Sequence, residues 1–190
     1  MSSAIATGAP PERTPEQRAT ELRLMFFDVD GVLTDGRLHI GAQGEMFKIF
    51  HVRDGHGIKL LQAGGVRCAI LSARRSEVVN VRARELGIEH VQQGAQDKTS
   101  GYVALRDALG LADAQCGFMG DDWPDLPVLR RVGFAASVAD GTPEAREAAH
   151  WVSSRNGGHG AVRELAEFVL RAQGRFAALL AQETGEAAGA

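Results

Sequence analysis

Cysteine is scarce in this sequence: of 190 residues, only Cys68 and Cys116 carry a thiol. Each sits inside an apolar run, which excludes a disulfide-stapled scaffold and reads as two buried thiols in a reducing compartment. No apolar stretch approaches the ~20 residues that a helical membrane span requires, so no membrane partner is expected. The opening Met1-Ser2-Ser3-Ala4-Ile5-Ala6 lacks the basic start and long apolar centre of a signal peptide, which makes cytoplasmic location the expectation. A basic excess is also missing. Lys and Arg number 21 against 24 Asp and Glu, a net charge of −3, which argues against a nucleic-acid partner. Internal repeats and linker-like stretches are absent too, so one domain is expected.

What the sequence does have is enough apolar content, 44%, to build a sizeable core. Residues 1–20, with Pro10, Pro11 and Pro15, read as a flexible arm, 21–182 as the domain, and 183–190 as a frayed tail. Leu22 to Val29 has strand character. Leu38 to Ile40 and Glu45 to Val52 alternate around Gly41-Ala42-Gln43-Gly44, a hairpin signal. Then come a helix over Gly57 to Ala63, a strand over Val66 to Leu71, and a helix over Ser76 to Leu86 closed by Gly87. The alternation continues with a strand at Glu89 to Gln92, a helix at Asp97 to Leu109, and a strand at Gly117 to Gly120. A helix at Leu126 to Val132 and a strand at Phe134 to Ala136 follow. Pro143 to Ala149 is predicted helical, with Thr142 as its cap, and one long helix is predicted over Ala161 to Ala181. Strands alternating with helices predict an α/β fold with a mainly parallel sheet covered on both faces.

The chemistry concentrates where the strands end. Phe26-Phe27-Asp28-Val29-Asp30-Gly31 runs from apolar residues straight into two carboxylates. Burying two acids is costly unless a cation compensates them, and oxygen ligands suit a hard ion such as Mg²⁺. A second strand delivers Ser72, followed by Ala73, Arg74 and Arg75. Lys98 opens a helix beyond Gly94. A fourth strand delivers Asp121 and Asp122, with Asp125 close behind. Taken singly these are ordinary features: a serine at a strand end is usually structural, a lone lysine solvated, an Asp pair a helix cap. In parallel strands all four sets meet on one rim, and a carboxylate, a metal, a hydroxyl and an ammonium are what phosphoryl transfer needs.

With these residues the chain resembles the phosphatases of the haloacid dehalogenase superfamily, over roughly residues 22–170. More narrowly it is similar to those acting on 3-deoxy-D-manno-octulosonate 8-phosphate (KDO 8-phosphate). The likeness rests on Asp28-Val-Asp-Gly-Val-Leu-Thr-Asp-Gly, His51-Val-Arg-Asp-Gly-His-Gly-Ile, Gly120-Asp-Asp-Trp-Pro-Asp-Leu-Pro-Val and Asn156-Gly-Gly-His-Gly-Ala-Val-Arg-Glu. It implies a Rossmann-like fold and an aspartyl-phosphate mechanism. Asp28 would be the nucleophile and Asp30 the proton carrier. Ser72 and Lys98 would contact the phosphoryl group. Mg²⁺ would sit on Asp28, the main-chain carbonyl of Asp30, and Asp121, with Asp122 or Asp125 supporting them. It assigns substrate contacts to His51, Val52, Arg53, Asp54, Gly55, Lys59, Arg74, Arg82 and Lys98.

The resemblance also implies a homotetramer. No large cap domain fits between Asp30 and Ser72, only a hairpin flap and a short helix. The hairpin residues Leu38, Ile40, Met46, Phe47, Ile49 and Phe50 suit either a subunit interface or packing on their own core. Arg75 and Arg84 read equally as solvated helix charges, and Gly157-Gly158-His159-Gly160 as a lid or a plain turn. The chain departs from the family pattern at His51, where a smaller amide is expected, and at Ser72-Ala73-Arg74 in place of Thr-Gly-Arg. Two alternatives remain open on sequence alone. One is the same mechanism on another small sugar phosphate. The other is a non-catalytic oligomerisation module like the domain appended to some acylneuraminate cytidylyltransferases.

Overall fold

The computed structural model describes residues 13–186. Its centre is a six-stranded parallel sheet in the order β5-β4-β1-β6-β7-β8. The strands are β1 (Leu24–Phe27), β4 (Arg67–Ser72), β5 (His90–Gln93), β6 (Cys116–Gly120), β7 (Phe134–Ser137) and β8 (Trp151–Val152). β1 lies between β4 and β6, in register Leu24 to Arg67 on one side and Leu24 to Cys116 on the other. The chain builds outward from β1 through β4 to β5, then crosses back to β6. That reversal is a topological switch point, where the carboxyl ends of strands leave a crevice.

All four β1 side chains are buried because both sheet faces are covered. Met25 and Phe27 face one apolar cluster with Ile58, Leu61, Leu165 and Val169. Leu24 and Phe26 face the other, with Tyr102, Phe118 and Val128. The first cluster is closed by α2 (Val52–Ala63), α3 (Glu77–Leu86) and α7 (Ala161–Ala172), the second by α4 (Lys98–Ala108), α5 (Leu126–Leu129) and α6 (Pro143–Ala148). Cys68 and Cys116 are both free and buried, as their apolar surroundings implied.

The antiparallel hairpin of β2 (His39–Gly41) and β3 (Gly44–Phe47) stands outside this sheet. Of its candidate interface residues, Leu38, Ile40, Met46, Phe47 and Ile49 are exposed, so they do not pack on their own core. Phe50 is partly buried against the first cluster.

Several boundaries differ from the sequence reading. The predicted arm falls partly on residues 1–12, outside those described. Within 13–20 the chain instead forms helix α1 (Pro15–Ala19), closed by a Thr14–Gln17 capping box with Ala19 buried. The predicted tail is partly helical, since α8 (Phe176–Thr184) reaches into it, and residues 187–190 lie outside those described. Helix α2 begins at Val52 rather than Gly57. Gly55 and Gly57 disguise its start, because glycine is a poor helix former. Packing demands them: a Cβ on Gly57 would lie 2.8 Å from Arg163 Cα.

The predicted helix over Ala161 to Ala181 is two helices, α7 and α8. Gly174 takes φ +69, and the Arg175 amide donates to Leu170 O at 2.8 Å, a Schellman turn. The Gly157–Gly160 segment is the plain turn. Its Gly158 amide donates to Val32 O at 2.9 Å, and the Gly157 amide donates to Asp140 Oδ1 at 2.9 Å.

Candidate active site

β1 and β6 deliver their carboxylates side by side at the switch point. The ladder carries one step past β1, with the Asp28 amide donating to Met119 O at 3.0 Å. This fixes a nearly buried Asp28 beside Asp121. Gly31, at φ +98, turns the chain away, and a Cβ there would lie 2.1 Å from Asp121 Oδ2. Only glycine admits both the left-handed backbone and that close approach.

Asp125 holds the far side. Its Oδ2 accepts from the amides of Asp121 at 3.0 Å and Asp122 at 3.3 Å. Its Oδ1 accepts from Lys98 Nζ at 2.5 Å. Lys98 is the first residue of α4, whose N-terminus is capped by Asp97. Its ammonium also lies 2.8 Å from Asp28 Oδ1, with the lysine side chain only 4% exposed.

Two buried carboxylates, Asp28 and Asp125, and a half-buried one, Asp121, thus face one ammonium, and the imbalance shows in their acidities. Burial, with the Asp125 charge added, pushes Asp28 up to about 6 despite Lys98. Burial and the charges of Asp28 and Asp125 push Asp121 up to about 8. Burial alone would lower the Lys98 ammonium, but Asp28 and Asp125 overcome it and its pKa is raised. Asp121 Oδ1 is buried with no hydrogen-bond partner. One oxygen each from Asp28, Asp121 and Asp125 lies within 4.8 Å of the others. The all-oxygen donor set, the surplus negative charge and the orphaned oxygen fit a hard divalent cation. Both Asp125 oxygens are already engaged, so Asp28 and Asp121 are the better ligands.

Asp30 does not join this group. Its Oδ1 accepts from Lys48 Nζ, and Arg74 Nε lies 3.4 Å from its Oδ2. Lys48 also lies 3.0 Å from Glu45 Oε1, and Glu45 accepts from Ser76 Oγ. Lys48, Glu45 and Ser76 escaped the sequence reading. Lys48 and Glu45 belong to a hairpin whose apolar alternation was its only visible signal. Ser72 ends β4 and is buried, with its Oγ accepting from the Arg74 amide at 3.3 Å.

The remaining predicted substrate residues are not gathered with the carboxylates. His51 caps α2, its Nδ1 accepting from the Arg53 amide at 3.2 Å. Asp54 is buried and accepts from the amides of Gly160 at 3.1 Å and Arg163 at 2.9 Å, holding the start of α7. Burial raises its pKa. Gly55 lies under Arg82, and a Cβ there would sit 2.2 Å from Arg82 Nη2. Arg82 pairs with Glu85 at 2.8 Å and sits over the Phe50 ring. Val52 and Lys59 are exposed. Arg53 lines a cavity of about 390 Å³ with Arg155 and Arg163. Among the described residues, no ion pair or hydrogen bond joins Arg53, Lys59 or Arg82 to Asp28, Asp30 or Lys98. Arg84 is the ordinary helix charge its position allowed, 3.4 Å from Glu77, and Arg75 covers Gly94.

A parallel sheet with carboxylates and a lysine converging at its switch point defines a Rossmann-like hydrolase. Residues 69–165 match the family model for haloacid dehalogenase-like hydrolases, and the chain belongs to that family. Within it, the chain is similar to the 3-deoxy-D-manno-octulosonate 8-phosphate phosphatase of Yersinia pestis. The two are 43% identical over 160 residues, which is 84% of this chain and 86% of that one. The Escherichia coli K12 phosphatase of the same name is 39% identical over 159 residues, 84% of this chain and 85% of its own. Among solved structures, the Moraxella catarrhalis phosphatase, bound to magnesium, phosphate and KDO, superposes with a TM-score of 0.87. It is 40% identical, and the match covers 89% of this chain and 97% of that one. The cobalt-bound Haemophilus influenzae phosphatase gives a TM-score of 0.82 at 39% identity, covering 84% and 94%.

Proposed function

We propose that this chain is a Mg²⁺-dependent phosphatase that converts KDO 8-phosphate to KDO and inorganic phosphate in lipopolysaccharide precursor synthesis. The observation that carries the chemistry is the unbalanced cluster at the switch point, where Asp28, Asp121 and Asp125 face Lys98 alone. The substrate follows from the similarity to named phosphatases over most of both chains.

In this reading, an Asp28 carboxylate oxygen attacks phosphorus and the ester P–O bond breaks. The bonding pair goes to the sugar oxygen, which takes a proton from Asp30. Asp30 then accepts a proton from water as that water attacks the aspartyl-phosphate, releasing phosphate and restoring Asp28. Splitting one displacement into two lowers each barrier. Lys98, already 2.8 Å from Asp28 Oδ1, fixes that carboxylate and offsets phosphoryl charge. Ser72 donates its hydroxyl to a phosphoryl oxygen. Asp28, the Asp30 main-chain carbonyl and Asp121 would hold Mg²⁺, which when bound would supply the charge neutralisation that lets an anion approach an anion.

Arg74, on the rim beside Asp30, binds the sugar-acid carboxylate, to which its guanidinium fork is suited. Arg53, Lys59 and Arg82 complete recognition with the backbone of residues 51–55. The exposed apolar hairpin, with Ile40 58% and Met46 65% accessible, supports assembly into a homotetramer in which a neighbour covers the site. The enzyme works in the cytoplasm; no described helix is long and apolar enough to cross a membrane.

The test is phosphate release from KDO 8-phosphate with and without Mg²⁺, beside a panel of sugar phosphates. Strong metal-dependent preference for KDO 8-phosphate is expected. Broad weak turnover moves the substrate question to Arg53, Arg74 and His51, and inertness on every substrate returns the chain to a scaffold role.

A further inference from the structure

Lys48 leaves the end of the hairpin and turns inward, its side chain only 2% exposed. Burying an ammonium is tolerated only with full pairing, and the pairing here is specific. Nζ donates to Asp30 Oδ1 and lies 3.0 Å from Glu45 Oε1. Glu45 is anchored in turn by Ser76 Oγ and lies 3.9 Å from Arg74 Nη2. The hairpin is thereby tied to the loop after β1 and to the loop after β4 through one buried ammonium and the carboxylates around it. The pairing also distinguishes the two Asp30 oxygens. Lys48 donates to Oδ1, whereas Oδ2 is buried and accepts no hydrogen bond, with the Arg74 guanidinium 3.4 Å from it as its ion-pair neighbour.

The geometry points to Lys48 as a positioning residue. It holds Asp30 by Oδ1 so that Oδ2 is the oxygen that exchanges the proton, and it makes seating of the hairpin a condition for that alignment. The inference rests on Asp30 being the proton carrier of the proposed reaction. As the ester P–O bond breaks, the electron pair goes to the leaving oxygen, which takes the proton from Oδ2. Oδ1 continues to accept from Lys48, whichever state Oδ2 is in.

A leaving group that needs no proton separates positioning from a merely structural role. The full-length Lys48→Met and Lys48→Arg variants are assayed on KDO 8-phosphate and on p-nitrophenyl phosphate. The quantity compared is kcat/KM, which reports events only through phosphoryl transfer. Lys48→Met is expected to lose about 100-fold on the sugar phosphate, the scale of one proton-transfer contribution, and less than about fivefold on the aryl phosphate. Lys48→Arg, which keeps the cation, is expected to recover about tenfold of that loss.

Hydrogen exchange of residues 39–50 is read in parallel and needs no turnover. Hairpin amides are expected to exchange about tenfold faster in Lys48→Met, with β1, β4 and β6 unchanged. Equal losses on both substrates, or hairpin exchange unaltered by the substitution, would overturn the inference. If the wild type hydrolyses the aryl phosphate and leaves KDO 8-phosphate untouched, it is the substrate reading that fails. The ratio is then taken with an alkyl phosphate from the panel that the enzyme does hydrolyse, and the exchange result stands either way.

Discussion

Two charge clusters share the rim, beginning two residues apart in sequence, and they are built to opposite plans. Around Asp28, three carboxylates, Asp28, Asp121 and Asp125, face one ammonium, that of Lys98. Around Asp30, two carboxylates, Asp30 and Glu45, face two cations, Lys48 and Arg74. The first is deficient in positive charge by design of its ligands, and a divalent ion completes it. The second is balanced within the chain and ties down a hairpin. A buried ion network is therefore informative about a cation only once its charges are counted, because an uncompensated buried charge is costly until something neutralises it.

The sharpest break in this contrast comes from Asp28→Asn. It removes the nucleophile and is expected to abolish turnover, by about 10⁴-fold or more. Because it also removes a surplus buried charge, the variant is expected to fold normally and melt no lower than wild type. Phosphate release and thermal denaturation check the two halves, and undiminished activity would end the nucleophile assignment.

Lys98→Met works in the other direction. It leaves Asp28 and Asp125 without their shared cation and is expected to cost about 3–5 kcal/mol of stability in the absence of metal. Activity is expected to fall about 10²–10³-fold. Denaturant unfolding with and without Mg²⁺ separates the two effects.

Arg74→Ala probes the balanced cluster. KM for the sugar-acid phosphate is expected to rise about tenfold, equivalent to 1.4 kcal/mol of binding. A KM that does not move removes Arg74 from recognition.

The pH response returns to the unbalanced cluster. Asp28 and Asp121 are held at about 6 and about 8, above the ordinary 3.8. Over that window the folded chain binds more protons than the unfolded one. Its metal-free stability therefore falls as pH rises from the ordinary carboxylate range toward about 8. Mg²⁺ must displace those protons, so its affinity is expected to rise on the order of 50-fold between about pH 6 and pH 8, with proton uptake by the buffer. Calorimetry in two buffers of different ionisation enthalpy measures this, and Asp121→Asn is expected to flatten it.

How much of this was legible depended on the range of the interaction that fixed each part. The strands, the Gly87 stop and the Thr142 cap rest on neighbours in sequence, and the pattern displayed them. The meeting of Asp28, Lys98 and Asp121 was legible because parallel strands put their carboxyl ends on one rim. The start of α2 was hidden, since Gly55 and Gly57 answer to Arg82 and Arg163 rather than to helix propensity. Gly174 was overlooked within an otherwise regular apolar stripe. Lys48 was invisible because its partners lie 3 residues away at Glu45 and 18 residues away at Asp30. Asp54 read as a substrate group from its motif, yet in the folded chain its oxygens are spent on backbone amides.

That use of Asp54 bears on the order in which the molecule assembles. The first turn of any helix leaves amide hydrogens with no partner of its own, and Arg163 in the first turn of α7 obtains its partner from a side chain 109 positions upstream. Such a contact forms only after the loop between has closed, the slow kind of event in folding. The start of α7 is therefore completed only when that helix docks against the α2 turn that carries Asp54. The helix that seals the face beneath β1 thus depends for its first turn on a residue from an earlier part of the chain.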